Sequence, residues 1–346
     1  MDKSSDKLLI LKSKTLNFNP QNILVIHFGQ LGDVILGLPA LSAIRKRFPD
    51  AHITALVGKP NVQIIELADF FDEIIGVDRV ELRDSGKLWS IAQIFKIVRN
   101  IRRKNFDFVI DLHSLYETNL LGFLSGAKHR LFANRESRSL DYLANFAPKP
   151  PLEDKTKNAT DFYLDVLKPL DIENAPRFLH ILPRKSDDEF IENIWQKHNL
   201  KEKLVVGMFL GAGHPGRRWS IENFAKLTKL LKDENRKMVV FLGPEERHLR
   251  EEVEEKLSSD AFIFDNLTLP QLAAALARVN ILVSNDTGPM HLGAVMGAFI
   301  VMLSKHGTPD AHIPLIEKLA IVRGATLKEI SVDEVFQTTR NILEEI

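Results

Sequence analysis

Residues 281–303 read ILVSNDTGPMHLGAVMGAFIVML. An apolar β-rich run (281–283) gives way to a polar turn (284–289), a small-and-apolar run (290–297) and a second β-rich run (299–303). Strand, tight turn, helix, strand is one βαβ unit, at the length a parallel crossover needs. Pro289 fits the first helical turn, where a missing N–H is no loss. Gly288 lets the backbone approach whatever faces the turn. The predicted helix start presents free N–H groups around Met290, His291 and Leu292, and such a terminus carries about half a positive charge and attracts anions. A plain helix cap by Asp286 or Thr287 accounts for the same residues.

The same alternation extends upstream. Residues 204–210 form a predicted strand that runs into Gly211-Ala212-Gly213-His214-Pro215-Gly216-Arg217-Arg218-Trp219-Ser220. A glycine-rich loop ending in two arginines before a Ser-capped helix suits a pyrophosphate: amides can come close and guanidinium forks neutralise oxygens. A surface packing pair around Trp219 is the alternative. A strand at 238–242 then leads into Gly243-Pro244-Glu245-Glu246, and another at 262–264 precedes a helix that Thr268 and Gln271 open in capping-box spacing. Ser331 and Glu334 open a last helix, 332–345.

The first half repeats the theme. The run 22–28 (NILVIHF) passes through Gly29-Gln30-Leu31-Gly32-Asp33 into an apolar helix and a second strand at 51–57. This begins a doubly wound α/β domain. The turn is neither a dinucleotide G-x-G-x-x-G nor a P-loop. Asp33 falls at the carboxyl end of the first strand, where it reads as a helix-start carboxylate or as a site residue. The run 106–112 brings Asp111 and His113 to the same edge, and Arg130, Arg135 and Arg138 fall in a predicted loop, where they can bind phosphates or face solvent. Residues 87–104 carry Leu88, Ile91, Ile94, Phe95, Val98 and Ile101 at helical spacing, with Lys96, Arg99, Arg102, Arg103 and Lys104 on the other side. The expectation is a core-facing helix with a solvated basic face, the alternative a helix resting on an anionic membrane.

The totals fit two domains: 346 residues exceed one ordinary core. Prolines punctuate 148–183, so the division is predicted as 1–175, 176–328 and a terminal helix 329–346. Cysteine is absent, which excludes disulfides and thiolate chemistry. No apolar run reaches the roughly 18 residues of a spanning helix, and no secretory signal opens the chain, so a cytoplasmic location is expected. Basic and acidic residues balance at 46 each, with 21 against 16 in residues 1–150. That argues against nucleic acid and gives the first half a mild preference for an anionic partner. Residues 1–20 read as a loose arm or an edge element.

Four blocks, 23–58, 106–132, 211–231 and 283–303, together resemble glycosyltransferase family 9, the ADP-heptose:lipopolysaccharide heptosyltransferases, across residues 22–310. The resemblance implies a GT-B fold: two Rossmann-like doubly wound domains facing across a cleft, the first binding acceptor and the second the nucleotide sugar, with the last helix packing back on the first. It implies that Asp33 of the Gly32-Asp33 pair is the general base of an inverting transfer. It also implies that Arg217, Asp286, Thr287, Gly288 and the amides of Met290, His291 and Leu292 hold the donor, with Glu245 or Glu246 on its ribose. It implies no metal and no cofactor, ADP-heptose being the donor substrate, and a lipid-linked oligosaccharide acceptor, with possible peripheral contact at the cytoplasmic face of the inner membrane. The chain departs from the family pattern in Arg217 for the frequent lysine, in Phe209-Leu210 before Gly211, in residues 304–308, and in His27. Competing readings are a transferase with another nucleotide sugar or a protein acceptor, a sugar-nucleotide epimerase, and a non-catalytic binder of sugar nucleotide or lipid.

Overall fold

The computed structural model describes residues 18–172, 174–201, 203–233 and 235–346, so most of the predicted N-terminal arm lies outside the described residues. The first half runs β1 (Asn22–His27), α1 (Leu31–Arg47), β2 (His52–Gly58), α2 (Val62–Ala68), β3 (Glu73–Val77), α3 (Arg79–Asp84), α4 (Lys87–Arg103), β4 (Phe108–Asp111), α5 (Tyr116–Leu124), β5 (His129–Phe132) and α6 (Ala159–Val166). Its strands form one parallel sheet in the order β3-β2-β1-β4-β5. Alternation along β1 splits its side chains between two layers. Ile23 and Val25 join α1, α2 and α6; Leu24 and Ile26 join Ile101 of α4 and Leu121 of α5.

The second half runs α7 (Lys185–Lys197), β6 (Leu204–Phe209), α8 (Ile221–Leu231), β7 (Arg236–Phe241), α9 (Arg250–Leu257), β8 (Phe262–Phe264), α10 (Leu269–Leu276), β9 (Ile281–Asn285), α11 (Gly288–Val295), β10 (Phe299–Lys305), β11 (Leu319–Gly324) and α12 (Val332–Glu345). These strands are parallel in the order β11-β10-β9-β6-β7-β8. Helices cover both faces of each sheet, which is why the strands read as near-continuous apolar runs. In each sheet the strand order reverses beside the first strand, and the crevice at the carboxyl ends of such a switch point is where open α/β sheets take ligands. Residues from both carboxyl edges line one cleft, so the architecture is GT-B.

Two expectations need correction. The terminal helix α12 does not return to the first sheet. Val335, Ile342 and Leu343 bury into the core of the second half with Trp219 and Leu227, and α12 packs on α8 and β9–β11. The contact with the first half comes instead from 310–316, where Ile313 carbonyl accepts from Asn158 at 2.8 Å. Helix α4 is not core-facing along its length: of its apolar residues only Ile101 is buried. At 1.5 Å per residue its 17 residues span about 25 Å, against about 17 Å for the five-residue strand β3, so its first turns overhang the sheet. Strand β11 and helix α3 were not foreseen; a short apolar run such as LAIVRG carries no period long enough to choose a state.

Candidate active site

The turn between β1 and α1 sets Asp33 in the first turn of α1. One carboxylate oxygen accepts the Gln30 N–H at 3.0 Å, so Asp33 forms half of a capping box. Its other oxygen stands 3.7 Å from His312 Nδ1, which comes from the second half of the chain. Cap and site residue are therefore compatible: one oxygen fixes the side chain, the other faces the seam.

Across that seam lies the start of α11. The N-cap is Thr287, so the unbonded amides of the first turn belong to Thr287, Gly288 and Met290, Pro289 having none. This shifts the expected set: the His291 amide already donates to Thr287 carbonyl at 3.4 Å, Leu292 lies deeper in the helix, and the side chains of Met290, His291 and Leu292 are buried. The hydroxyl of Thr287 is buried and has no hydrogen-bond partner among the described residues. A Cβ on Gly32 would sit 2.9 Å from His291 Cδ2, and one on Gly288 would sit 2.9 Å from Leu31 Cβ. What these two glycines admit is each other's domain: the starts of α1 and α11 meet and the helices pack alongside, Ile35 and Leu36 sharing a crevice with His291 and Val295.

The loop after β6 forms the third wall. Asn285, at the end of β9, holds it: its Nδ2 donates to the carbonyls of Leu210 (3.0 Å) and Gly211 (3.2 Å), and its Oδ1 accepts the Trp219 N–H at 2.9 Å. Trp219 is buried and donates through Nε1 to Ile330 carbonyl, which settles its role as packing. The two arginines beside it diverge. Arg218 donates to Ala212 carbonyl and pairs with buried Glu246 at 3.4 Å. Arg217 lines the cleft, and its charge acts on Asp286, whose carboxyl is raised by burial and lowered again by Arg217 and His312. Glu245 and Glu246 separate in the same way. Glu246 is packed against Gly211 and Gly243 as a brace, its carboxyl raised by burial, whereas Glu245 is exposed on the cleft wall.

The polar residues behind Asp33 serve the fold. Asp111 is buried and accepts from the His113 and Ser114 amides and from Asn119; burial pushes its carboxyl up to about 6. His27 accepts the Gly29 N–H on Nδ1 and packs on Tyr163, and burial holds its pKa at about 4. Arg130 lies in β5 with its guanidinium on the carbonyls of Leu143 and Ala127, and Arg135 pairs with Glu153 at 3.4 Å. Neither is a loop arginine awaiting a phosphate. Sequence reading missed His312, which no local pattern marks, and the bracing role of Asn285, whose place next to Asp286 was its only signal.

The walls enclose about 680 Å³, lined from the first half by Gln30, Leu31, Gly32 and Gln63 and from the second by Arg217, Glu245, Thr268, Asp286 and Thr287. That volume suits a nucleotide sugar. Among the described residues no cluster of three or more His, Asp or Glu is placed to hold a metal. The family model for glycosyltransferase family 9 (heptosyltransferase) matches residues 94–337, well over half of the chain.

This chain belongs to glycosyltransferase family 9.

Among its family 9 relatives, lipopolysaccharide heptosyltransferase 2 of Escherichia coli K12 is 24% identical over 310 residues, covering 87% of each chain. A family 9 structure from Veillonella parvula DSM 2008 superposes with a TM-score of 0.83 at 26% identity, over 96% of this chain and 99% of that one. Escherichia coli heptosyltransferase WaaC, solved with ADP-2-deoxy-2-fluoro heptose, superposes with a TM-score of 0.74 at 18% identity, over 92% and 99%, a likeness of fold. The family 9 chain is accordingly a glycosyltransferase of the lipopolysaccharide heptosyltransferase family, as its four sequence blocks implied.

Proposed function

We propose that the enzyme transfers a heptose from ADP-heptose to a lipopolysaccharide inner-core sugar, with inversion at the anomeric carbon. The observation that carries this reading is a part-exposed carboxylate, Asp33, held at the seam beside His312 and next to a cleft that Gln30, Leu31 and Gly32 line from the first half and Arg217, Asp286, Thr287 and Gly288 from the second. In this scheme Asp33 removes the proton from the acceptor hydroxyl as its oxygen attacks the anomeric carbon, and the C–O bond to the diphosphate breaks on the opposite face. One further negative charge grows on the β-phosphate of the leaving ADP, and Arg217 with the α11 terminus stabilises it. Thr287 Oγ1, buried with no hydrogen-bond partner among the described residues, donates to a phosphate oxygen; Asp286 orients sugar hydroxyls and Glu245 the ribose. The enzyme needs no cofactor, its donor is the nucleotide sugar, and its acceptor is a lipid-linked oligosaccharide presented at the cytoplasmic face of a membrane.

Asp33→Asn tests the base without removing the cap, because an amide oxygen still accepts the Gln30 N–H. Transfer should fall by about 10²–10⁴-fold while ADP affinity holds. Wild-type transfer by this variant would refute the assignment. Mass spectrometry of products from ADP-, UDP- and GDP-sugars separates the donor readings, and turnover of a UDP-sugar in preference to ADP-heptose would replace the donor proposed here.

A further inference from the structure

Helix α4 exposes a row of large apolar side chains to solvent: Leu88 is 86% exposed, Ile91 62% and Phe95 67%, with Ile94 beside them. Positions three and four apart share a helix face, so these form one continuous strip on its first half. An apolar strip of this kind is uncommon on a soluble surface and marks an interaction site. The same helix carries Lys87, Lys96, Arg99, Arg102 and Arg103, none within ion-pair distance of a carboxylate among the described residues. A groove of about 750 Å³ beside it is lined by Lys59, Trp89, Lys96, Arg99 and Arg103, with Asp78 and Glu81 as its acidic residues. Asp78 is paired with Lys59 at 3.3 Å, so the groove remains basic.

The position of the strip follows from topology. The chain leaves β3 at its carboxyl end and enters β4 at its amino end, so α4 runs antiparallel to the strands and its first turns stand at the carboxyl edge. That edge holds Asp33. Helix α3, just before, is tied to the same turn by Arg79, which donates to Phe28 carbonyl at 3.0 Å.

We propose that the first half of α4 is a peripheral docking face for an anionic lipid bilayer: Leu88, Ile91 and Phe95 enter the acyl boundary, and Lys96, Arg99 and Arg103 meet the headgroups. The pairing of an apolar strip with free cations selects an anionic lipid surface over an apolar protein partner, which the cations would oppose. The occupant is argued from α4 alone; only its purpose, bringing the acceptor headgroup toward Asp33, rests on the proposed function.

Flotation of the full chain with vesicles tests it, using phosphatidylcholine alone and phosphatidylcholine mixed equally with phosphatidylglycerol. Wild type should float with the anionic vesicles only, and less so as salt rises. The pair Ile91→Asp/Phe95→Asp and the set Lys96→Gln/Arg99→Gln/Arg103→Gln should each lose at least about tenfold in partition. All these side chains are exposed, so ADP affinity should stay at the wild-type value and certify folding. Equal flotation on both vesicles, flotation on neither, or wild-type flotation by either variant overturns the proposal. So does a wild-type dimer that I91D/F95D dissociates, which would assign the strip to a second copy. Because flotation uses neither donor nor acceptor, it can fail while transfer to detergent-dispersed acceptor succeeds, or the reverse.

Discussion

Two neighbouring arginines illustrate what a single side chain can be asked to do. Arg217 faces the cleft and Asp286, whereas Arg218 closes a buried pair with Glu246, whose side chain is 5% exposed. Arg217→Ala should cost on the order of a hundredfold in kcat with the urea midpoint unchanged, because the charge it supplies is needed chiefly when the diphosphate leaves. Arg217→Lys should recover part of that, keeping the charge and losing the fork. Arg218→Ala should instead destabilise by about 3 kcal/mol, since it strands a buried carboxylate without a partner. Were both variants to lose activity with unchanged stability, the division of roles would be wrong. Nothing in the string Gly216-Arg217-Arg218-Trp219 separates the two, for the choice depends on Glu246, which reaches the loop from after the next strand.

At the level of elements, the packing of α1 against α11 controls the seam. Gly32 and Gly288 leave no room for a Cβ against His291 and Leu31. Gly32→Ala should prise α1 and α11 apart, lower stability by about 1–3 kcal/mol and reduce transfer more than ADP binding, whose proposed contacts all come from the second half. Titration calorimetry for ADP beside a transfer assay reads the split, and equal loss of both would argue against a seam effect. Most elements were legible from pattern: β8 and α12 fall where the residues place them, and the Thr268–Gln271 capping box forms as spaced. Helix α4 also forms where its period places it, but its burial was not legible, because an amphipathic period tells which residues share a face but not whether a sheet lies beneath all of it.

For the whole molecule, the buried histidines give a pH signature. Burial lowers His27 and His291 from 6.5 to about 4, and His113 to about 2, so each is neutral in the fold. The unfolded chain takes up protons first as pH falls, so this stability is complete above about pH 6.5 and is lost toward pH 4. Asp111, raised to about 6, acts oppositely, favouring the fold as pH falls from 6 toward 4. The three histidines, set against Asp111 and the raised carboxyls of Asp286 and Glu246, predict a net loss on the order of 2–4 kcal/mol between pH 7 and pH 5, read as a lower urea midpoint. A midpoint that rises over that interval would contradict the burial. The sequence by itself determined the alternation of strand and helix, the turn that holds Asp33 and the family, because periodicity and turn chemistry act within a few tens of residues. Only the tertiary structure decided that His312 faces Asp33, that Glu246 braces while Glu245 is exposed, that α12 stays with the second sheet and that α4 overhangs the first. Each of those depends on where a distant segment of the chain comes to rest, and no local pattern carries that position.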